Sequence, residues 1–93
     1  MTWIKTIPAA EADAELRDAL QKMRALYPVE YATPVDPGEK DLAGIVGAHT
    51  LLPQTLFHAF ATFGTLMSPD LALTRRQHEM ITTVVSVTNR CFY

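Results

Sequence analysis

Thr74-Arg75-Arg76-Gln77-His78-Glu79-Met80-Ile81-Thr82-Thr83-Val84-Val85-Ser86-Val87-Thr88-Asn89-Arg90 is the stretch on which the fold class turns. Its β-branched run from Thr82 to Val87 has the residue types of a buried strand. Two features oppose that reading. Thr74 followed three residues later by Gln77 is a capping-box pattern, in which each side chain satisfies an amide of the other's residue. Behind the cap, Met80, Ile81, Val84, Val85 and Thr88 recur at intervals of three and four and so fall on one face of a helix. The stretch predicts a single helix from Arg75 to about Arg90 with Met80, Ile81, Val84 and Val85 buried.

Upstream, Ser68-Pro69-Asp70 reads as a break, and Pro53 suits the first turn of another helix because its missing N–H has no intrahelical partner to lose there. Leu56, Phe57, Phe60, Ala61, Phe63, Gly64 and Met67 then cover most of that helix's circumference, which predicts that it is largely buried. Asp41 is positioned to cap a short apolar helix at 42–51, in which Gly44, Gly47 and Ala48 leave room for a neighbouring helix. Pro28, Pro34, Pro37 and Gly38 mark a loop. Before it, Leu16, Ala19, Leu20, Met23 and Tyr27 give the apolar stripe of an amphipathic helix from about Glu11 to Leu26. Residues 1–8, ending at Pro8, read as an extended arm whose Trp3, Ile4 and Ile7 need a surface. Four helices with no convincing strand predict an all-α packing unit, a single domain over 1–93.

Composition narrows function. The chain has 93 residues, 48% of them apolar and 19% charged, a globular balance in which so short a chain builds only a thin core. A formal net charge of −2 with both signs dispersed supplies no basic stripe for nucleic acid or anionic lipid. The N-terminus lacks the apolar core of a secretion signal, and no stretch approaches the ~18 apolar residues of a membrane span. A cytoplasmic location is the expectation. The single cysteine, Cys91, excludes an intramolecular disulfide and leaves an inert, intermolecular or reactive thiol. His49, His58 and His78 lack the partners of a zinc helix and read as ordinary surface or core histidines. Phe57, Phe60 and Phe63 have packing spacing, and Ser86 has no nucleophile elbow around it.

Cys91 follows Asn89-Arg90 at the end of the long helix. If that turn leads into another helix, the thiol sits among orphan amides beside a guanidinium, surroundings that favour a thiolate. The segment Ser68 to Ile81, followed by Val84-Val85-Ser86-Val87-Thr88-Asn89-Arg90-Cys91-Phe92-Tyr93, resembles the peroxidase-related branch of the alkylhydroperoxidase D and carboxymuconolactone decarboxylase superfamily, and the stretch from His49 to Met67 is similar to it too. In that family the position of Cys91 opens a Cys-x-x-Cys motif with a histidine a few residues later. The sequence stops at Tyr93, one residue before the second cysteine is due, and is expected to be the N-terminal portion of such a domain.

The resemblance implies a helical bundle, commonly oligomeric, whose two motif cysteines cycle between dithiol and disulfide while reducing hydroperoxides at the expense of a thiol reductant, with no cofactor or metal. It places Cys91 as the attacking cysteine and Glu79, twelve positions earlier, in a proton relay with the downstream histidine. Along a straight helix those twelve residues span about 18 Å, so Glu79 and Cys91 cannot touch; a helix returning antiparallel after Cys91 could carry the histidine that the resemblance implies back toward Glu79. The residues by themselves read Glu79 as a solvated or salt-bridged carboxylate near Arg75, Arg76 or Thr83. With one cysteine the 93 residues are expected to be catalytically silent. Two other readings stand beside the peroxidase: a non-catalytic helical oligomerisation unit, and a decarboxylase-like member that uses no cysteine pair.

Overall fold

A computed structural model of the chain describes residues 3–32 and 41–91. Every regular element among them is helical: α1 (Ala14–Ala25), α2 (Gly44–Gly47), α3 (Pro53–Leu66) and α4 (Arg75–Thr88), with single 3-10 turns at Ala9–Glu11 and Val29–Ala32. The all-α expectation holds, and the described residues contain no strand. Of the proline-rich loop, Pro34, Asp36, Pro37 and Gly38 lie outside the described residues.

α1 starts three residues later than its apolar pattern suggests, because Asp13 is the residue that caps it. The Asp13 carboxylate accepts from the Leu16 amide at 2.9 Å. Its stripe Leu16, Ala19, Leu20 and Met23 is buried, and with Ala12 and Leu56 of α3 it forms the core. Ile7, Tyr27, Leu42, Val46, Phe57 and Phe60 close over that core. Packing of α1 on α3 is the main helix-to-helix contact.

The predicted helix at 42–51 shortens to the single turn α2. Asp41 does not cap it. Its carboxylate accepts from the amides of Ala9 and Leu42 at 3.0 and 2.7 Å, and these two bonds, Ala9 foremost, hold its pKa below the ordinary carboxylate value and tie the N-terminal segment down. Thr50 completes that anchorage from a fully buried position: its hydroxyl donates to the Gly47 carbonyl at 2.7 Å and accepts from the Ile7 amide at 2.8 Å. The arm's need for a surface is thus met at Ile7, whereas Trp3 is fully exposed.

α3 is less buried than its circumference of apolar residues suggests. Leu56 and Gly64 are buried, Phe57, Phe60, Ala61 and Phe63 are half-buried, and Leu66 is exposed. Only one side faces α1. The close approach expected at Gly47 occurs instead at Gly64, where a Cβ would lie 2.7 Å from Leu26 Cβ and 3.2 Å from the Leu26 carbonyl oxygen. At Gly47 a Cβ would meet only the Thr6 side chain, at 3.7 Å, an ordinary contact. Gly64→Ala should therefore destabilise by roughly 1 to 2 kcal/mol, because overpacking against a fixed backbone outweighs the gain in helix propensity. Gly47→Ala should be neutral or slightly stabilising. Urea melts of the two variants check this, and equal shifts would refute the close α1–α3 approach.

α4 forms as the cap predicts. The Thr74 hydroxyl accepts from the Gln77 amide at 3.3 Å and the Gln77 side chain accepts from the Thr74 amide at 2.8 Å. The β-branched run tolerates the helix partly because its threonines bond back into it: Thr82 and Thr83 donate to the Glu79 carbonyl and Thr88 donates to that of Val84. At the far end Cys91 N–H donates to the Ser86 carbonyl and Arg90 N–H to that of Val87, both at 2.9 to 3.0 Å, with Arg90 at φ 54°. This is a Schellman ending with arginine in the left-handed position that glycine usually takes.

The buried face predicted for α4 is a correction. Met80, Ile81, Val84 and Val85 are 51%, 50%, 64% and 52% exposed. The stripe turned toward the rest of the chain is polar instead: His78 is buried, and Arg75, Glu79, Thr82 and Ser86 are half-buried. Periodicity identifies a helix with an apolar side, but which side is covered depends on what the chain has left to cover it. Here α1 and α3 spend their apolar faces on each other.

Candidate functional site

The polar stripe of α4 meets the turn after α1. Arg75, on the first turn of α4, sends its guanidinium to Glu79 one turn later at 2.8 Å and toward Glu30 at 3.8 Å, and lies over the Tyr31 ring at 5.0 Å from its centroid. The Tyr31 hydroxyl donates to the same Glu79 oxygen at 3.2 Å. Behind it Tyr27, Tyr31 and Phe63 form a cluster with centroids 5.3 to 6.1 Å apart, in edge and stacked contacts. These rings fix the Val29–Ala32 turn against α3 and so hold the phenol over α4.

Burial, and then the Glu79 carboxylate it bonds, push the Tyr31 phenol above its ordinary value, while Arg75 opposes them. Tyr27 is raised by burial first and by Tyr31 second. Both phenols therefore keep their protons at neutral pH, and Tyr31 remains a donor to Glu79. Each contact is partly exposed and individually modest, about 0.3 to 1 kcal/mol. Together they hold one carboxylate oxygen between a guanidinium and a phenol and so fix the orientation of the carboxylate.

Glu79 is thus salt-bridged to Arg75, as the residues alone suggest, with Tyr31 as a partner that sequence reasoning missed. Tyr31 is 48 positions away and lies in a segment whose prolines marked it only as loop. Cys91 is exposed, just beyond the Schellman turn. α4 is continuous between Glu79 and Thr88, a rise of about 13 Å, so the described residues do not bring the thiol and the carboxylate together. Among the described residues no helix follows Arg90, so the helix N-terminus on which the thiolate expectation depends is not among them. His49 bonds the Ile45 carbonyl and packs edge-on to Phe60, and His58 packs against Phe57. His78 is buried. Among the described residues no three His, Cys, Asp or Glu side chains gather as a metal-binding group, and no helix is long and apolar enough to cross a membrane.

Comparison with family models, with curated proteins and with solved structures finds no match to this chain.

Proposed function

We propose that the chain is part of a thiol-dependent oxidoreductase that reduces hydroperoxides, with Cys91 as the attacking thiol and Glu79 in the proton relay. The reading rests on the resemblance carried by Ser68 to Tyr93. The observation that supports it best is that the Arg75–Thr88 helix presents an exposed thiol just past its C-terminal cap and, near its start, a carboxylate oriented by Arg75 and Tyr31. A reducing cytoplasmic compartment suits such a thiol.

The Cys91 thiolate attacks the terminal peroxide oxygen, an S–O bond forms as the O–O bond breaks, and the alkoxide leaves as an alcohol once it gains a proton. Sulfur loses the two electrons that the peroxide gains. The sulfenic acid then condenses with a second cysteine, releasing water and forming a disulfide, and an external dithiol reduces that disulfide. The second cysteine and the relay histidine are not among these 93 residues. Hydroperoxide consumption with a dithiol reductant tests the reading. The chain alone should not turn over, and a version with a Cys-x-x-Cys and histidine segment completed after Arg90 should. Cys91→Ser should abolish that gain, and Glu79→Gln should lower it by roughly tenfold or more while leaving the helix content unchanged. Equal turnover with and without Cys91 would refute the thiol mechanism.

A second reading, a helical oligomerisation unit, draws on the exposed face of Met80, Ile81, Val84 and Val85. An apolar helix face opposite a polar one that already contacts the chain calls for a partner, and we infer a second copy. Sedimentation should show a concentration-dependent oligomer that Val84→Glu converts to monomer. A stable monomer at micromolar concentration would exclude this reading.

A further inference from the structure

We propose that the cavity beside His78 is a binding site for an uncharged, largely apolar small molecule that carries a hydroxyl group. The cavity, about 490 Å³, lies between the end of α1, the turn that follows it and the start of α4, and its walls include Leu26, Tyr27, Val29, Met67, Leu73 and His78. That volume falls in the range of small-molecule pockets, and the lining is mainly apolar.

The polar exception is decisive. His78 is 4% exposed, and both of its ring nitrogens are buried without a hydrogen-bond partner among the described residues. A neutral imidazole has one donor and one acceptor, and leaving both unmet in a protein interior is costly. The two polar side chains beside it on α4 are committed elsewhere: Thr74 to Gln77 in the capping box, and Arg75 to Glu79, Glu30 and the Tyr31 ring. The same residue lines the cavity, so the unmet imidazole and the apolar space adjoin one another.

The head group follows from charge and from donor count. Arg75 faces two carboxylates, Glu30 and Glu79, so a carboxylate ligand would enter a site that already has more negative than positive charge. An ammonium has only donors and cannot serve the imidazole N–H. A hydroxyl both donates and accepts and so answers either tautomer, while an apolar body fills the remaining walls. The site is distinct from Cys91: α4 rises about 15 Å from His78 to Thr88 before the thiol is reached. The inference does not rest on the peroxidase reading.

Titration of the full chain with 1-hexanol, followed by NMR of the imidazole nitrogens, tests it, with hexanoate and hexylammonium as charged counterparts. The His78 signals should shift saturably with 1-hexanol, and both charged probes should bind about tenfold more weakly or worse. His78→Phe, which keeps the bulk and removes both nitrogens, should weaken hexanol binding roughly tenfold. Leu73→Trp, which fills the cavity and leaves His78 intact, should abolish the His78 response, so the test survives if the first variant folds poorly. An unsaturable response, equal binding of a charged probe, or undiminished binding by either variant would overturn the proposal. So would a His78 shift that follows protein concentration instead of hexanol, since a second copy would then occupy the cavity.

Discussion

Leu56→Ala should lower the stability of the chain by roughly 2 to 5 kcal/mol, the range for large-to-small replacement at a packed position. Leu56 is 0% exposed and is the one core residue contributed by α3, the rest of the buried cluster coming from α1 and Ala12 before it. Its side chain is therefore the joint between the two helices that pack on each other. Small domains typically have ~5 to 15 kcal/mol in total, so the variant should lose much of its cooperative transition. The transition midpoint in urea should fall sharply, and a fall equivalent to less than ~1 kcal/mol would mean that α1 and α3 are not joined as described.

The parts of the fold set by local chemistry were legible in the sequence. Thr74 and Gln77 announce the start of α4, Pro53 that of α3, and the Leu16–Met23 stripe gives the buried side of α1. Each depends on residues within two turns of one another. What was not legible depends on distant partners. Asp41 looks like a cap from its neighbours, yet its carboxylate is drawn to the Ala9 amide 32 positions away. Gly47 and Gly64 look alike in sequence, yet only Gly64 has the backbone at the end of α1 against it. The apolar face of α4 reads as core only on the assumption that the chain itself supplies the cover, and α1 and α3 do not.

The candidate site divides in the same way. Glu79 and Cys91 stand out in the sequence by resemblance, and the pairing of Glu79 with Arg75 follows from their spacing on one helix face. Tyr31 and Glu30 reach α4 only through the turn that the Tyr27, Tyr31 and Phe63 rings hold in place. His78 is a related case. It lies one residue before Glu79 in a charged first turn, where sequence offers no sign that the ring turns inward without a partner.

On the proposed reading Cys91 is a peroxide-reactive thiol, and its replacement should act all or none. That reading has the exposed Cys91 thiolate give two electrons to a hydroperoxide and become a sulfenic acid, a species that dimedone captures as a stable thioether before it can condense with another thiol. Attack depends on the thiolate and on access, and the exposure of Cys91 provides access. Serine has no comparable chemistry, so the substitution removes the reaction and, at an exposed position, changes stability little. Intact-mass spectrometry decides it on the version completed after Arg90 with the family-like segment, its second motif cysteine replaced by serine, treated with a stoichiometric organic hydroperoxide in the presence of dimedone. The account predicts a single dimedone adduct that maps to Cys91, forms well before a free cysteine under the same conditions reacts, and is absent from Cys91→Ser. Labelling no faster than that of free cysteine would contradict it.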